Sequence, residues 1–471
     1  MKNKFLQIAL LALAALSFLG CQPKSNRDIS LVLTRLDETK LLEKSPLDNI
    51  KAGDDAPVLS VNSGTEYQTM DGFGYTLTGG SAMHIHRMNA EPRKALLTEL
   101  FGKGENDIAV SYLRLSVGAS DLDEKPFSYA EIPDGETDPE LESFTLDYDQ
   151  KHLIPVLKEI LAINPDIKLM GSPWSPPKWM KDNNDTRGGS LLPEFYGTYA
   201  NYLVNYIEGM KAEGIRIEAL TVQNEPLHPG NNPSLLMLPE DQAVFVRDHL
   251  GPAFEKAGID TKIIIYDHNA DRPDYPITIL NDPEARKYID GSAFHLYGGE
   301  IEALSEVHEA HPDKNLYFTE QWIGAPGNFP GDMAWHTKEL IIGATRNWAK
   351  TVLEWNLAAD PNQEPHTDRG GCDRCLGAVT IDGDEIVKNP AYYIIGQASK
   401  FVVPGSVRIE SNVLENLPNV AFKTPEGNIV IIAINENQVD LTFKLNIDGE
   451  MVSAHLPTES VGTFIWTPGI D

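Results

Sequence analysis

Lys262-Ile263-Ile264-Ile265-Tyr266 holds three isoleucines in succession. A strand alternates its side chains between two faces, so an unbroken β-branched run buries both. That is the setting of a parallel strand covered by helices. Seven further short runs read as strands: Gly72–Tyr75, Val110–Val117, Lys168–Pro173 and Ala219–Gln223 before it, Ser292–Leu296, Leu316–Thr319 and Val352–Trp355 after it. Helical stretches separate them. Gln150–Ile163 places Leu153, Ile154, Val156, Leu157, Ile160 and Leu161 on one face, and Asn164-Pro165 stops it. Eight strands alternating with helices predict an α/β fold, a (β/α)8 TIM barrel over residues 71–384.

The pattern changes after residue 385. Ser406–Val413, Val420–Thr424, Asn428–Ile434, Val439–Leu445 and Thr463–Trp466 are short β-like runs punctuated by Pro425-Glu426-Gly427 and Asp448-Gly449. They predict an attached antiparallel β-sandwich over 385–471, with extended residues 56–70 adding strands to it. Phe422, Phe443, Phe464 and Trp466 lie within strands, which predicts core positions and a structural partner to the barrel rather than a separate carbohydrate-binding module.

A chain of 471 residues suits one large barrel plus a smaller module. Its 69 acidic against 39 basic residues leave a net charge of −30. Such a chain repels phosphate backbones and polyanions, so nucleic acid and anionic polysaccharide are poor partners and neutral substrates stay open. Lys2 and Lys4 precede an apolar run from Leu6 to Leu16, broken only by Gln7. This reads as a secretory signal over 1–20, too short to span a bilayer. Gly20-Cys21 resembles a bacterial lipoprotein cleavage site. That implies a mature chain held by acyl chains on Cys21, a polar tether over 21–55, and a place in the bacterial cell envelope as an exported lipoprotein. The lipid anchor is then the expected membrane contact. The other two cysteines, Cys372 and Cys375, suit a local disulfide, a redox pair, or half a zinc site completed by His366 and Asp368.

Barrel chemistry sits at the C-terminal ends of the strands. Two runs lead there to a glutamate: Ala219-Leu220-Thr221-Val222-Gln223-Asn224-Glu225-Pro226 and Leu316-Tyr317-Phe318-Thr319-Glu320-Gln321. A glutamate closing an apolar strand must be wet, paired or reactive. Two at one barrel mouth suit glycoside hydrolysis, in which one carboxylic acid protonates the leaving oxygen and one carboxylate attacks the anomeric carbon. A pure glycan-binding protein has no need of the pair.

Longer motifs carry a resemblance. Met70-Asp71-Gly72-Phe73-Gly74, Leu113-Arg114-Leu115 with Ser120-Asp121, Gly171-Ser172-Pro173-Trp174-Ser175-Pro176-Pro177-Lys178-Trp179-Met180, Phe294-His295-Leu296-Tyr297 and Glu354-Trp355-Asn356-Leu357 fall on successive barrel strands. Ala391-Tyr392-Tyr393 and Ser399-Lys400-Phe401-Val402-Val403-Pro404-Gly405-Ser406 follow, and are expected in the sandwich. From about residue 66 onward the chain resembles glycoside hydrolase family 30, the family of glucosylceramidases and β-1,6-glucanases. The resemblance implies Glu225 as acid/base, Glu320 as nucleophile and retention of configuration. It implies Asn224 on the hydroxyl beside the anomeric centre and Trp174 and Trp355 walling the sugar. Arg114, Asp121, His295 and Tyr297 would bond the sugar or the carboxylates. Arg114 also suits a buried ion-pair partner, and Trp179 packing. No metal and no cofactor is implied.

Pro365-His366-Thr367-Asp368-Arg369-Gly370-Gly371-Cys372-Asp373-Arg374-Cys375-Leu376-Gly377-Ala378 resembles the cysteine-containing loop of the family's endo-β-1,6-glucanases. The glucosylceramidase branch carries a glucose-contacting Asn in this region that has no clear counterpart here. The expected activity is therefore retaining, endo-acting hydrolysis of a neutral β-1,6-glucan by a monomer. An exo-acting β-glucosidase, β-xylosidase or glucosylceramidase on the same scaffold is the alternative.

Overall fold

A computed structural model describes residues 28–47 and 51–467. Eight parallel strands close into a barrel in chain order: β1 (Gly72–Leu77), β2 (Tyr112–Val117), β3 (Lys168–Pro173), β4 (Ala219–Thr221), β5 (Lys262–Asn269), β6 (Ile289–His295), β7 (Asn315–Glu320) and β8 (Ala349–Asn356). All eight predicted strands are present, with shifted ends. The helix expected over Gln150–Ile163 is two, Asp147–Lys151 and Leu153–Ile163, broken at His152. At Gly74 a Cβ would stand 1.8 Å from the Tyr112 carbonyl oxygen, so the approach of β1 to β2 requires glycine.

Alternation along the strands sorts the barrel interior. Tyr112, Met170, Ala219, Ile264, Ala293, Tyr317 and Leu353 form a buried apolar cluster. Two residues further on, β2, β3, β6, β7 and β8 turn Arg114, Ser172, His295, Thr319 and Trp355 toward the mouth. On β5 a pairing irregularity between Tyr266 and His268 breaks the alternation. It turns Asp267 to Arg114, while Tyr266 packs against Tyr275 and Phe294. A second, between Phe318 and Glu320, accompanies the turn of Glu320 into the mouth beside Thr319.

Nine strands form the second unit, in the order Glu43–Ser45, Asp28–Arg35, Ser460–Thr467, Ile429–Asn435, Asn419–Lys423, Val407–Ser411, Val58–Thr69, Leu441–Ile447, Glu450–Leu456. They enclose a core that includes Leu31, Leu33, Leu59, Ile431, Phe443 and Phe464. Val58–Thr69 joins the two halves, antiparallel to Val407–Ser411 and parallel to Leu441–Ile447. Phe422 and Trp466 are buried as well.

Two boundaries differ from the sequence reading. The expected tether over 21–55 contains two strands, because Leu31 and Leu33 fill the sandwich core while Asp28–Arg35 pairs along Ser460–Thr467. The sandwich does not begin at 385. Glu385–Lys388 pairs with Val379–Asp382 beside the barrel, and the helix Pro390–Ser399 lies on it, where Tyr75 Oη donates to the Ala391 carbonyl. Ala391-Tyr392-Tyr393 therefore belongs to the barrel layer. Residues 1–27, including the expected signal and Cys21, lie outside the described residues. Among the described residues no helix is long and apolar enough to cross a membrane.

Candidate active site

Arg114 organises the mouth from below. Its side chain is fully enclosed, and it donates from Nη1 to Glu320 Oε2 (2.6 Å) and from Nη2 to Asn224 Oδ1 (2.6 Å), Asp267 Oδ2 (2.8 Å) and Ser172 Oγ (3.1 Å). The guanidinium carbon lies 4.8 Å from the ring centre of Trp174 and 5.8 Å from that of Trp355. A buried cation needs such partners, since its desolvation is costly. Asp267 answers it: burial opposes its charge, but Arg114 and His295 hold the carboxyl far below the ordinary range. Asp267 also accepts from Thr319 Oγ1 (2.7 Å) and Ser172 Oγ (2.8 Å).

His295 joins the two carboxylates. Its Nε2 donates to Asp267 Oδ1 and its Nδ1 to Glu225 Oε1, each at 3.1 Å, and Nδ1 lies 3.9 Å from Glu320 Oε1. Burial disfavours the imidazolium, yet Glu320, Asp267 and Glu225 together push its pKa up to about 9. Glu320 accepts from Tyr297 Oη (3.0 Å) as well as Arg114. Glu225 has backbone φ +45°, a left-handed turn that is strained for a non-glycine residue, and accepts from Asn231 Nδ2 at 3.4 Å. One oxygen each of Glu225 and Glu320 and a ring nitrogen of His295 lie within 4.8 Å of one another.

Burial raises both glutamates. On Glu225 the hydrogen bond and charge of His295, with the neighbouring histidines His268 and His228, together outweigh it, and the carboxyl is held below its ordinary value. On Glu320 burial wins over His295 and Arg114, with the charge of Glu225 adding to it, and the carboxyl stands above its ordinary value. Two donors, Arg114 and Tyr297, still favour an ionised Glu320. The mobile proton rests on His295, one hydrogen bond from Glu225, and the three groups titrate as a unit. A substrate that expels water from between the carboxylates favours moving that proton onto Glu225. The same three groups have the spacing of a metal site. His295 holds its protons toward carboxylates and Arg114 already neutralises Glu320, so the donor set is a hydrogen-bonded charge network rather than a cation cage.

A cavity of about 370 Å³ opens above these groups, bordered by Asp121, Trp174, Trp355, Tyr297 and the two cysteines among others. A larger one, about 460 Å³, lies between Gly79 and His152, and neither Glu225 nor Glu320 borders it. The Trp174 and Trp355 rings are 5.4 Å apart and make one aromatic wall. Burial, then the charges of Glu320 and Glu225, push Asp121 up to about 8, so at neutral pH it carries a proton to donate. Cys372 and Cys375 are joined in a disulfide. The pair is thus the local disulfide, and neither sulfur is free to complete a zinc site with His366 and Asp368. Asp368 accepts from Asn232 Nδ2 (2.8 Å), and His366 faces Glu364. Trp179 donates to the Ala130 carbonyl and packs on Phe195, outside the site.

Every residue expected at the site from sequence is thus in it: Glu225, Glu320, Asn224, Trp174, Arg114, Asp121, His295, Tyr297 and Trp355. Asp267, Ser172, Thr319, His268 and Asn231 were not anticipated. Asp267 follows the predicted strand directly, and its place at a strand end was the available signal.

The glycosyl hydrolase family 30 TIM-barrel model matches residues 70–402 and the family 30 β-sandwich model residues 405–464. The chain belongs to glycosyl hydrolase family 30. The family 30 enzyme is 32% identical over 425 residues to endo-1,6-beta-D-glucanase neg1 of Aspergillus fumigatus, covering 84% of this chain and 85% of the fungal protein. It is 28% identical over 438 residues to mouse lysosomal acid glucosylceramidase, covering 87% and 83% respectively. Among solved structures, the endo-beta1,6-glucanase BT3312 superposes with a TM-score of 0.86 at 35% identity, covering 93% of this chain and 99% of that one.

Proposed function

We propose that this family 30 glycosidase cleaves β-1,6-glucosidic bonds within a neutral glucan, with retention of configuration. The separation of Glu225 and Glu320 supports the mechanism, since retaining enzymes hold their carboxyls about 5–5.5 Å apart. Glu225 gives its proton to the leaving oxygen while the C1–O bond breaks toward that oxygen. A Glu320 carboxylate oxygen bonds C1. Glu225, now ionised, takes a proton from water; the hydroxide oxygen bonds C1, and Glu320 leaves as carboxylate. Asn224, aligned by Arg114, is placed to bond the hydroxyl beside C1, a bond that strengthens as charge grows on the ring.

The observation that carries the linkage is the disulfide loop in the cavity wall. Cys372 and Cys375 border the cavity, the Cys372 amide donates to the Asp121 carboxyl, and Gly370 and Gly371 let the loop pack directly on the backbone of Gly230-Asn231 and of Thr367. An endo-acting enzyme on a 1,6-linked chain needs room where O6 leads to the next glucose, a demand that falls on the loops bordering the cavity, this one among them. The likeness to two endo-β-1,6-glucanases supports the same reading. The Gly20-Cys21 pattern supports export and acyl anchoring to the cell envelope.

Product analysis on linear β-1,6-glucan tests the proposal. A ladder of 1,6-linked oligosaccharides is expected. Good turnover of an aryl β-glucoside with no release from the glucan would point to the exo-acting alternative.

A further inference from the structure

A line through Glu225 and Glu320 divides the barrel mouth into two arcs. On one, β8, the β2 end and β3 bring Trp355, Asp121 and Trp174, beside the disulfide. On the other, β5 and the β6 end bring His268, Asn269 and Tyr297, and the segment after Glu225 adds His228 and Asn231. A sugar packed on the tryptophans with C1 toward Glu320 turns its glycosidic oxygen to Glu225. Its leaving group then lies on the second arc, whose side chains all end in hydrogen-bonding groups.

His268 is the least explained of them. It is 7% exposed and borders the cavity. Its Nδ1 is enclosed with no partner. Among the described residues Nε2 has no protein partner either, and Nε2 is the ring's accessible polar atom. Burial holds the ring's pKa at about 4, so it is neutral at working pH. A proton on Nδ1 would bury a donor with no acceptor, a costly arrangement. The proton therefore sits on Nε2, as a donor aimed into the cavity.

We propose that His268, through Nε2–H, recognises a hydroxyl of the sugar on the leaving-group side, with His228 and Asn231 beside it, and so sets specificity for a saccharide rather than a lipid or aryl leaving group. This rests on the glucan reading above. The same contact would seat a sugar acceptor when the glycosyl-enzyme is intercepted by saccharide instead of water.

The test compares gentiotetraose, which places glucose on the second arc, with 4-nitrophenyl β-gentiobioside, whose leaving group has no hydroxyls to recognise. Losing one buried hydrogen bond, H268L should lower kcat/KM on gentiotetraose about tenfold and leave the aryl substrate within about threefold. The ratio of transfer onto added gentiobiose to hydrolysis should fall in parallel. H268Q, which keeps an N–H at similar reach and tests the same point with little change of volume, should stay within about threefold of wild type on both substrates. Equal loss on both substrates in both variants, or no loss on gentiotetraose in H268L, would overturn the proposal. Wild-type enzyme that cleaves the aryl substrate but not gentiotetraose would instead sink the glucan reading, and this inference with it.

Discussion

Arg114 Nη1 and Glu320 Oε2 meet 2.6 Å apart at the base of the sugar cavity, and the guanidinium is wholly shielded from water. Arg114 also holds Asn224 and Asp267, so one planar group aligns residues from β5, β7 and the segment just past β4. A lysine is a point charge and cannot reproduce that fork. R114K should lower kcat at least a hundredfold with the fold retained. R114M should also destabilise the protein by about 3–5 kcal/mol, because Asp267 is left buried and uncompensated. Steady-state kinetics with thermal unfolding separates the two effects; a fully active R114K would show that Arg114 is only ballast.

The two glutamates should fail in different ways. E320A should lose at least about a thousandfold, and azide should rescue it to the α-glycosyl azide by direct displacement. E225A should keep more activity on substrates with good leaving groups, and azide should give the β-azide from the glycosyl-enzyme. The anomers are distinguished by NMR. The opposite assignment of azide products would exchange the two roles.

His295 predicts the alkaline limb of the pH profile. It is protonated below about 9, so the acid proton is available there and lost as pH rises through that value. The kcat/KM profile should fall on its alkaline side near pH 9. In H295N, Glu225 must hold its own proton, so the alkaline limb should move toward neutrality, with activity at pH 8 about a hundredfold lower. An unmoved limb in H295N would remove His295 from the proton path.

Leu33, 2% exposed in the sandwich core, tests the place of the N-terminal strand. L33A should cost about 2–5 kcal/mol by denaturant unfolding, as truncation in a packed core does. A loss under 0.5 kcal/mol would mean that Asp28–Arg35 is dispensable to the fold.

The barrel was legible because buried parallel strands such as Lys262–Asn269 are apolar on both faces, a pattern that survives without knowledge of neighbours. The glutamates were legible because each lies just past an apolar run. Asp267 was not, since only the irregularity at Tyr266–His268 turns it inward, and strict alternation would have put Tyr266 there. The strand Asp28–Arg35 was hidden because it follows the expected signal and tether with little to mark it, and it becomes a strand by pairing with residues more than 400 positions away. The helix Pro390–Ser399 was hidden by the strand-rich sequence that follows it.

The most direct test is proton NMR of the first sugar released from a 1,6-linked gluco-oligosaccharide, recorded before mutarotation. Glu225 and Glu320, with oxygens within 4.8 Å, predict the β-anomer as first product. Initial release of the α-anomer would contradict the account at its centre.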